Sequence, residues 1–259
     1  MVRRMATIFD YLDIASAAYS SEPSLPGWNV RKWETATWYG DGFQGAVFED
    51  DREVIVAYSG TKGGPTTAPI SQNTANIRIG VLVVPNMAGA GKTLVRWAEG
   101  FAGDKPITLV GHSLGGALAQ VVGAWSGHPF ISFNGPGMAA HMKIAAFNIF
   151  KPRQMMRTRR ARKSGAPAVG LCLNVRGDFV ASYGGSHLGE VLELTAPANI
   201  RFKHSLDAIM CSLSADQLAS EPWQISTYFP KLFSIPKPRV HLRPFGGSFE
   251  KAVSQRLGL

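Results

Sequence analysis

This chain of 259 residues has little cysteine, no long uninterrupted apolar run and one extended stretch without acidic residues, and each shortage excludes something. Two cysteines, Cys172 and Cys211, do not make a disulfide framework in a chain of this length, so reduced structural thiols are expected. No run reaches the roughly 18 apolar residues that a membrane span needs. The N-terminus, MVRRMATIFDYLDIASAAY, starts basic, but Asp10 and Asp13 interrupt its apolar residues. It fails as a signal-peptide core and suits an amphipathic helix over about Thr7–Tyr19, with Ile8, Leu12, Ala15 and Tyr19 near one face. The expectation is a soluble protein, cytoplasmic or exported by a signal-independent route, whose membrane contact is peripheral at most.

The missing acid is the more informative shortage. From Gly137 to Gly177 there is no Asp or Glu, while Lys143, Lys151, Arg153, Arg157, Arg159, Arg160, Arg162, Lys163 and Arg176 all fall there, so the formal net charge of +9 is concentrated. Such a block attracts anionic surfaces. Two readings of its densest part, Lys151–Lys163, stay open. It is a solvated charged stretch, or it is a docking element that sets Lys151, Arg153, Arg157, Arg159, Arg160, Arg162 and Lys163 against an anionic membrane, with Met155 and Met156 among them. Nucleic acid is not expected as a partner, because the run has no aromatic stacking series and no accompanying nucleic-acid motif.

What is present can build a substantial core: 45% of the residues are hydrophobic, and the length suits one elaborated α/β domain over about 1–220. A basic insertion is read at 138–168 and a Pro- and aromatic-rich tail at 221–259. Phe43–Phe48 and Glu53–Tyr58 read as a hairpin around Glu49-Asp50-Asp51-Arg52. Further strands are expected at Ile77–Val84, Ile107–Val110, Phe130–Phe133, Val169–Val175 and Val191–Leu194. Helices are expected at Lys92–Phe101, after the Ile107 strand, over Met138–Phe150, and from about Arg201 through Leu213. Trp28, Trp33, Trp38 and Tyr39 read as packing rather than as a ligand cage. Gly89-Ala90-Gly91-Lys92-Thr93 superficially resembles a phosphate-binding loop, but Asn86 stands where the pattern needs its first glycine.

The chemistry concentrates in Ile107–Ala119, ITLVGHSLGGALA. A strand that reverses into a helix within a few residues forces the central residue into a strained backbone conformation, so its neighbours must lack bulky side chains. Gly111 and Gly115 meet that need around Ser113. The result is a serine hydroxyl on a sharp turn beside a helix N-terminus, which marks Ser113 as the candidate nucleophile. Ser59-Gly60-Thr61 ends another buried strand, and small residues there leave backbone N–H groups free to face a ligand. The stretch from Thr61 to Asn76 is small and polar, and reads equally as a loop over the site or as solvated linker.

A serine hydroxyl needs a base, and the base needs a carboxylate to fix its tautomer. In the order Ser, then acid, then His, Asp178 is the leading acid because it directly follows a buried strand, whereas Asp207 and Asp216 lie in or beside a helix. His112 lies within the elbow, His128 precedes a proline, His141 sits in the basic stretch and His241 in the tail. His187 and His204 both remain as candidate bases on these grounds.

Taken together, Tyr58-Ser59-Gly60-Thr61, TLVGHSLGGALA, SFNGPG over Ser132–Gly137, Asn174–Val180 and His187-Leu188-Gly189-Glu190-Val191 resemble the class 3 lipases, the fungal-lipase-like branch of the α/β-hydrolases. The resemblance spans roughly Phe43 to Leu213. It implies an α/β-hydrolase fold, a central mostly parallel sheet flanked by helices. In that family a histidine in an H-x-G-x-E setting soon after the acid is structural, as His187 would be, and the base comes at the start of a later helix, as His204 would. The resemblance also implies an oxyanion hole formed by Thr61 and the backbone N–H of Leu114. Where the family has a short amphipathic helix after the oxyanion residue, this chain has Gly63-Gly64-Pro65-Thr66-Thr67.

The expectation is therefore a serine carboxylester hydrolase acting on lipid esters, a lipase or phospholipase. Ser113, Asp178 and His204 form its triad, and it needs neither cofactor nor metal. Bacterial antibacterial lipase effectors are similar and lack a signal peptide. The rival is a non-catalytic binding protein of the same fold that recruits an acidic partner or a membrane through its basic face.

Overall fold

Short apolar runs become strands where both faces are covered, because alternate side chains then need apolar partners on opposite sides. The computed structural model of the protein describes residues 6–35, 42–60, 86–164 and 169–215. Val54–Tyr58 (β3) illustrates the rule: Val54, Val56 and Tyr58 join one core and Ile55 and Ala57 join another. The same holds for Ile107–His112 (β4), where Ile107 and Leu109 face one core and Val110 the other.

Among the described residues seven strands form one sheet in the order β1 to β7. Asn29–Thr35 (β1), Gln44–Glu49 (β2) and β3 are antiparallel to one another. From β3 onward the sheet is parallel, through β4, Phe130–Phe133 (β5), Gly170–Val175 (β6) and Glu190–Leu194 (β7). Ala88–Glu99 (α2) and Leu114–Ser126 (α3) supply the core that contains Leu94 and Leu118. The other face is covered by Ile8–Ala17 (α1) and Leu206–Ala215 (α6). The mixed sheet flanked by helices is the α/β-hydrolase arrangement expected from the sequence.

Local signals set the helix ends. Thr7 and Asp10 form a reciprocal capping box at α1, with the Thr7 hydroxyl accepting from the Asp10 N–H at 3.2 Å and the Asp10 carboxylate accepting from the Thr7 N–H at 2.6 Å. At α6 the Ser205 hydroxyl accepts from the Ala208 N–H at 3.0 Å, so the helix starts after His204 rather than at Arg201. Residues Gly89–Thr93 lie inside the first turns of α2, so the phosphate-loop look-alike is helix.

Two elements differ from the sequence reading. The Trp28–Trp33 stretch carries an edge strand, β1, which is largely exposed or half-buried and so lacks an apolar run. Val30 opposes Phe48 and Lys32 opposes Val47, so a bulge at Arg31 also breaks its alternation. The basic stretch holds two helices, Ala139–Ala145 (α4) and Pro152–Lys163 (α5). It forms the crossover that parallel β5 and β6 require. The expected strand Ile77–Val84, the Thr61–Asn76 stretch, Trp38, Tyr39 and the tail 221–259 lie outside the described residues. Cys172 and Cys211 are both free thiols.

One buried polar contact lies at the sheet end opposite the elbow. Just before β3, Glu53 Oε2 accepts from the Tyr11 hydroxyl at 2.7 Å. Burial pushes the Glu53 carboxyl up to about 7, against the pull of that hydrogen bond. A raised carboxyl contributes stability that is complete below the ordinary glutamate range and is lost as pH rises through the folded-state value. The loss here amounts to about 3 kcal/mol by pH 8. Glu53→Gln keeps an acceptor for Tyr11 and cannot ionise. Denaturant unfolding at about pH 5 and pH 8 should therefore show the variant gaining about 2 kcal/mol on wild type between the two. A stability gap that does not change with pH would refute this assignment.

Candidate active site

Parallel strands bring their C-terminal ends to one edge of the sheet, and the loops that leave this edge carry the candidate residues. At the end of β4 the chain turns directly into α3 through Ser113, whose backbone sits at φ 60°, ψ −126°. That conformation costs about 1–3 kcal/mol for a non-glycine residue. It is held by the Ser113 N–H donating to the Phe133 carbonyl at 3.0 Å, and by the Ser113 carbonyl accepting from the Gly116 N–H at 2.9 Å. The Leu114 N–H, the first of α3, directly follows the serine at the helix N-terminus.

Asp178 lies in the turn after β6 and is 1% exposed. One of its carboxylate oxygens, Oδ1, accepts from the Val180 N–H at 3.0 Å. The other, Oδ2, lies 2.8 Å from His204 Nδ1. On the opposite side of the ring, His204 Nε2 lies 2.8 Å from Ser113 Oγ. The structure therefore brings Ser113, His204 and Asp178 into one continuous hydrogen-bonded line, in a setting where all three are buried. With Asp178 accepting from Nδ1–H, Nε2 is free to accept from the serine hydroxyl.

His187 is not in this line. Its Nε2 lies 2.9 Å from the Gly135 carbonyl and 3.2 Å from Asn174 Nδ2, so it braces the loop after β5. Burial keeps its imidazole below the ordinary histidine range and hence neutral. Leu114 stands beside the serine, as expected from its place in the turn. Thr61 lies outside the described residues, one position beyond Gly60.

Several supporting residues carried no role in the sequence reading. Asn134, at φ 46°, accepts from the Val175 N–H through Oδ1 at 2.8 Å and donates through Nδ2 to the Lys203 carbonyl at 2.9 Å. It thereby ties the ends of β5 and β6 to the residue that precedes His204. Gln120 of α3 donates to the Pro136 carbonyl at 2.8 Å and accepts from the Leu188 N–H at 3.2 Å, joining two loops. The Asn-Gly-Pro-Gly turn was a visible signal for the first, whereas nothing in a helical sequence marks Gln120.

His112, set aside in the sequence, is adjacent to the site. Its ring centroid is 4.9 Å from that of His204, and its Nδ1 is 2.9 Å from the Tyr19 hydroxyl. Burial, and then the neighbouring His204, hold its imidazole well below the ordinary range and so neutral. The Tyr19 phenol is raised by burial, against a hydrogen bond from the Gly60 backbone. One hydroxyl at the end of α1 thus meets the end of β3 and the elbow together.

The profile of one family, described as phospholipase-like, a Tle-like phospholipase domain, matches residues 14–163, more than half of the chain. The chain belongs to the Tle-like phospholipase domain family. This accords with the class 3 lipase resemblance, and the match to the Tle-like family takes in the elbow, α4 and α5. No curated protein matches the chain in sequence. Among solved structures, a triacylglycerol lipase from Penicillium expansum is 14% identical, with a TM-score of 0.46, over 95% of this chain and 94% of that one. The Lip2 lipase of Yarrowia lipolytica is 16% identical, with a TM-score of 0.43, over 79% and 85%. Lipase II of Rhizopus niveus is 14% identical, with a TM-score of 0.45, over 82% and 91%. Among the described residues of this Tle-like chain, no helix is long and apolar enough to cross a membrane, and no cluster of three or more His, Cys, Asp or Glu could hold a metal ion.

Proposed function

We propose that the protein is a serine carboxylester hydrolase of lipid esters, working through an acyl-enzyme. The observation that carries this is the unbroken line from Asp178 through His204 to Ser113, with both contacts at 2.8 Å. Ser113 Oγ attacks the ester carbonyl while His204 Nε2 takes its proton. Asp178 holds the ring in the required tautomer and stabilises the imidazolium that forms. The tetrahedral oxyanion is received by the Leu114 N–H at the α3 N-terminus together with Thr61. The imidazolium then returns its proton to the leaving alcohol. Water deacylates the serine by the same route in reverse.

An apolar rim supports a lipid ester over a polar one. Phe179, next to Asp178, is 41% exposed, and its ring centroid lies 5.9 Å from that of His204. Phe202 approaches the same imidazole edge-on at 6.3 Å. The cationic crossover favours anionic phospholipid over neutral triglyceride as the substrate. The hydrolase domain is taken as 1–220, with 221–259 as a separate tail. A purely binding role is disfavoured, because a scaffold gains nothing from a buried, strained serine aligned on an imidazole.

The direct test is hydrolysis of a short-chain p-nitrophenyl ester and of anionic phospholipid vesicles. Turnover of either supports the hydrolase, and the preferred one separates esterase from phospholipase. A protein that binds the vesicles and hydrolyses no ester would be the rival scaffold. One variant probes the support of the elbow. Tyr19→Phe removes one hydroxyl shared by Gly60 and His112, and should lower kcat about fivefold with KM unchanged, the equivalent of one ordinary hydrogen bond. An unchanged kcat would reduce Tyr19 to a packing residue.

A further inference from the structure

The crossover between β5 and β6 carries most of the large apolar side chains that the described part of the molecule leaves in solvent. Ile144 is 60% exposed, Phe147 70%, Ile149 69% and Phe150 89%. They cluster where α4 ends and α5 begins, a corner of about six residues that buries little of its own apolar surface. A contiguous apolar cluster of this kind marks an interaction site.

Its place in the fold is set by two hydrogen bonds. At the start of α5, Lys151 Nζ donates to Asn86 Oδ1 at 2.8 Å, and Asn86 lies just before α2. The far end of α2 meets the start of β5, where His128 Nε2 is 2.9 Å from Glu99 Oε1. The corner is therefore at the same end of the sheet as Ser113, and α5 runs from it toward the other end. Over the ten residues from Arg153 to Lys163 a helix advances about 15 Å. The cationic run is consequently not one surface. Arg157 lies over the Trp125 ring at 5.6 Å and Arg159 donates to the Ala146 carbonyl at 2.7 Å. Arg160, Arg162 and Lys163 belong to the last turn, at the opposite end. Lys143 and Arg153 are exposed cations on either side of the apolar corner along the chain, and the exposed Arg159 reaches back to it through the Ala146 carbonyl. Among the described residues no carboxylate pairs with Lys143 or Arg153, and no residue from 105 to 177 is acidic.

We propose that this α4–α5 corner docks the protein on an anionic phospholipid surface, with Phe147, Ile149 and Phe150 entering the interface and Lys143 and Arg153 meeting the headgroups. Apolar side chains bracketed by unpaired cations match the two layers of such a surface, acyl boundary below and negative charge above. Docking there turns the Ser113 end of the sheet toward the lipid. The proposal rests on the lipid-ester reading for its purpose but not for its evidence. It differs from a contact made by the whole cationic run in assigning the anchor to aromatics at one end.

The test separates docking from turnover. Sedimentation with vesicles of mixed phosphatidylglycerol and phosphatidylcholine is measured in the full chain carrying Ser113→Ala, with and without Phe147→Asp and Phe150→Asp. The aspartates should weaken binding at least about tenfold. Vesicles of phosphatidylcholine alone should bind weakly. In the Ser113 enzyme the same two aspartates should leave hydrolysis of a soluble short-chain ester within about twofold while lowering the vesicle rate in step with binding. Undiminished binding by the aspartate variant overturns the proposal. So does a fall in Tm of more than about 5 °C in that variant, since the corner would then be packing against another part of the chain or a second copy. Docking that persists without any ester hydrolysis would leave this inference standing and remove the hydrolase.

Discussion

Ser113→Ala is expected to lower kcat for ester hydrolysis by about 10⁵–10⁶-fold, and His204→Ala by a similar factor. The two residues act as one unit, so the double variant should be no slower than either single one. Asp178→Asn should cost about 10⁴-fold, because an amide oxygen can still accept from Nδ1–H, but an Nδ2 rotamer facing the ring selects the wrong tautomer. Each substitution is small, the Ser113 bonds to Phe133 and Gly116 are made by backbone, and the amide oxygen introduced by Asp178→Asn can still accept from the Val180 N–H, so the fold should persist. Pre-steady-state release of p-nitrophenol, with substrate in excess over enzyme, checks the order of events. Wild type should show a burst of one equivalent if deacylation is slower than acylation, and Ser113→Ala should show none. A Ser113→Ala protein whose rate stays within tenfold of wild type would mean that the aligned hydroxyl is not the nucleophile.

The second large effect concerns stability and arises at Gly115. A Cβ placed there would overlap the Tyr58 carbonyl oxygen and lie 2.9 Å from the carbonyl carbons of Tyr58 and Ser59. All of these are backbone atoms at the end of β3, held in the sheet on both sides, so they cannot move aside as a flexible side chain would. Gly111 faces the reciprocal problem, since its Cβ would overlap the Gly115 carbonyl group. Gly115→Ala should destabilise the protein by about 3 kcal/mol or more and abolish activity, because the elbow and the β3 end can no longer close on each other. Gly89→Ala is the control: its Cβ would meet only Arg157 Nη1, at 3.7 Å, in a helix where alanine is favoured. That change should be neutral or stabilising by up to about 1 kcal/mol. Thermal unfolding of both variants reads the difference as a shift of roughly 6 °C or more for Gly115→Ala. Equal melting of Gly115→Ala and wild type would show that the elbow has slack the geometry denies.

Much of the sheet was legible because a strand buried on both faces leaves a local trace. β2 to β6 each appear as a short apolar run, β5 could be read to the residue, and β3 and β6 to within one residue. β1 left no such trace, because an exposed edge strand needs few apolar residues and a bulge breaks its alternation. The helical state of Lys151–Lys163 was hidden for a related reason. Its buried contacts reduce mainly to Thr158, whose hydroxyl accepts from Trp125 Nε1 at 3.0 Å, so charge dominates the pattern.

At the site the division is sharper. The serine turn is a local object: strand, glycines and helix lie within a dozen residues, and close backbone approach allows little else at those positions. Spacing along the chain was therefore enough to place the sharp turn at Ser113 and a carboxylate, Asp178, just after a strand end. Which imidazole faces Asp178 is not a local property. His187 is nine residues from that carboxylate and His204 is twenty-six, yet the loop after β6 directs the nearer ring to the Gly135 carbonyl. Asn134, anchored on the Lys203 carbonyl, sets the farther ring between Asp178 and Ser113. The cations tell the same story in reverse, a single block in the chain that α5 spreads along its length. These contacts are invisible along the chain, because a contact between loops at the end of a sheet depends on where several strands stop, and no spacing records it.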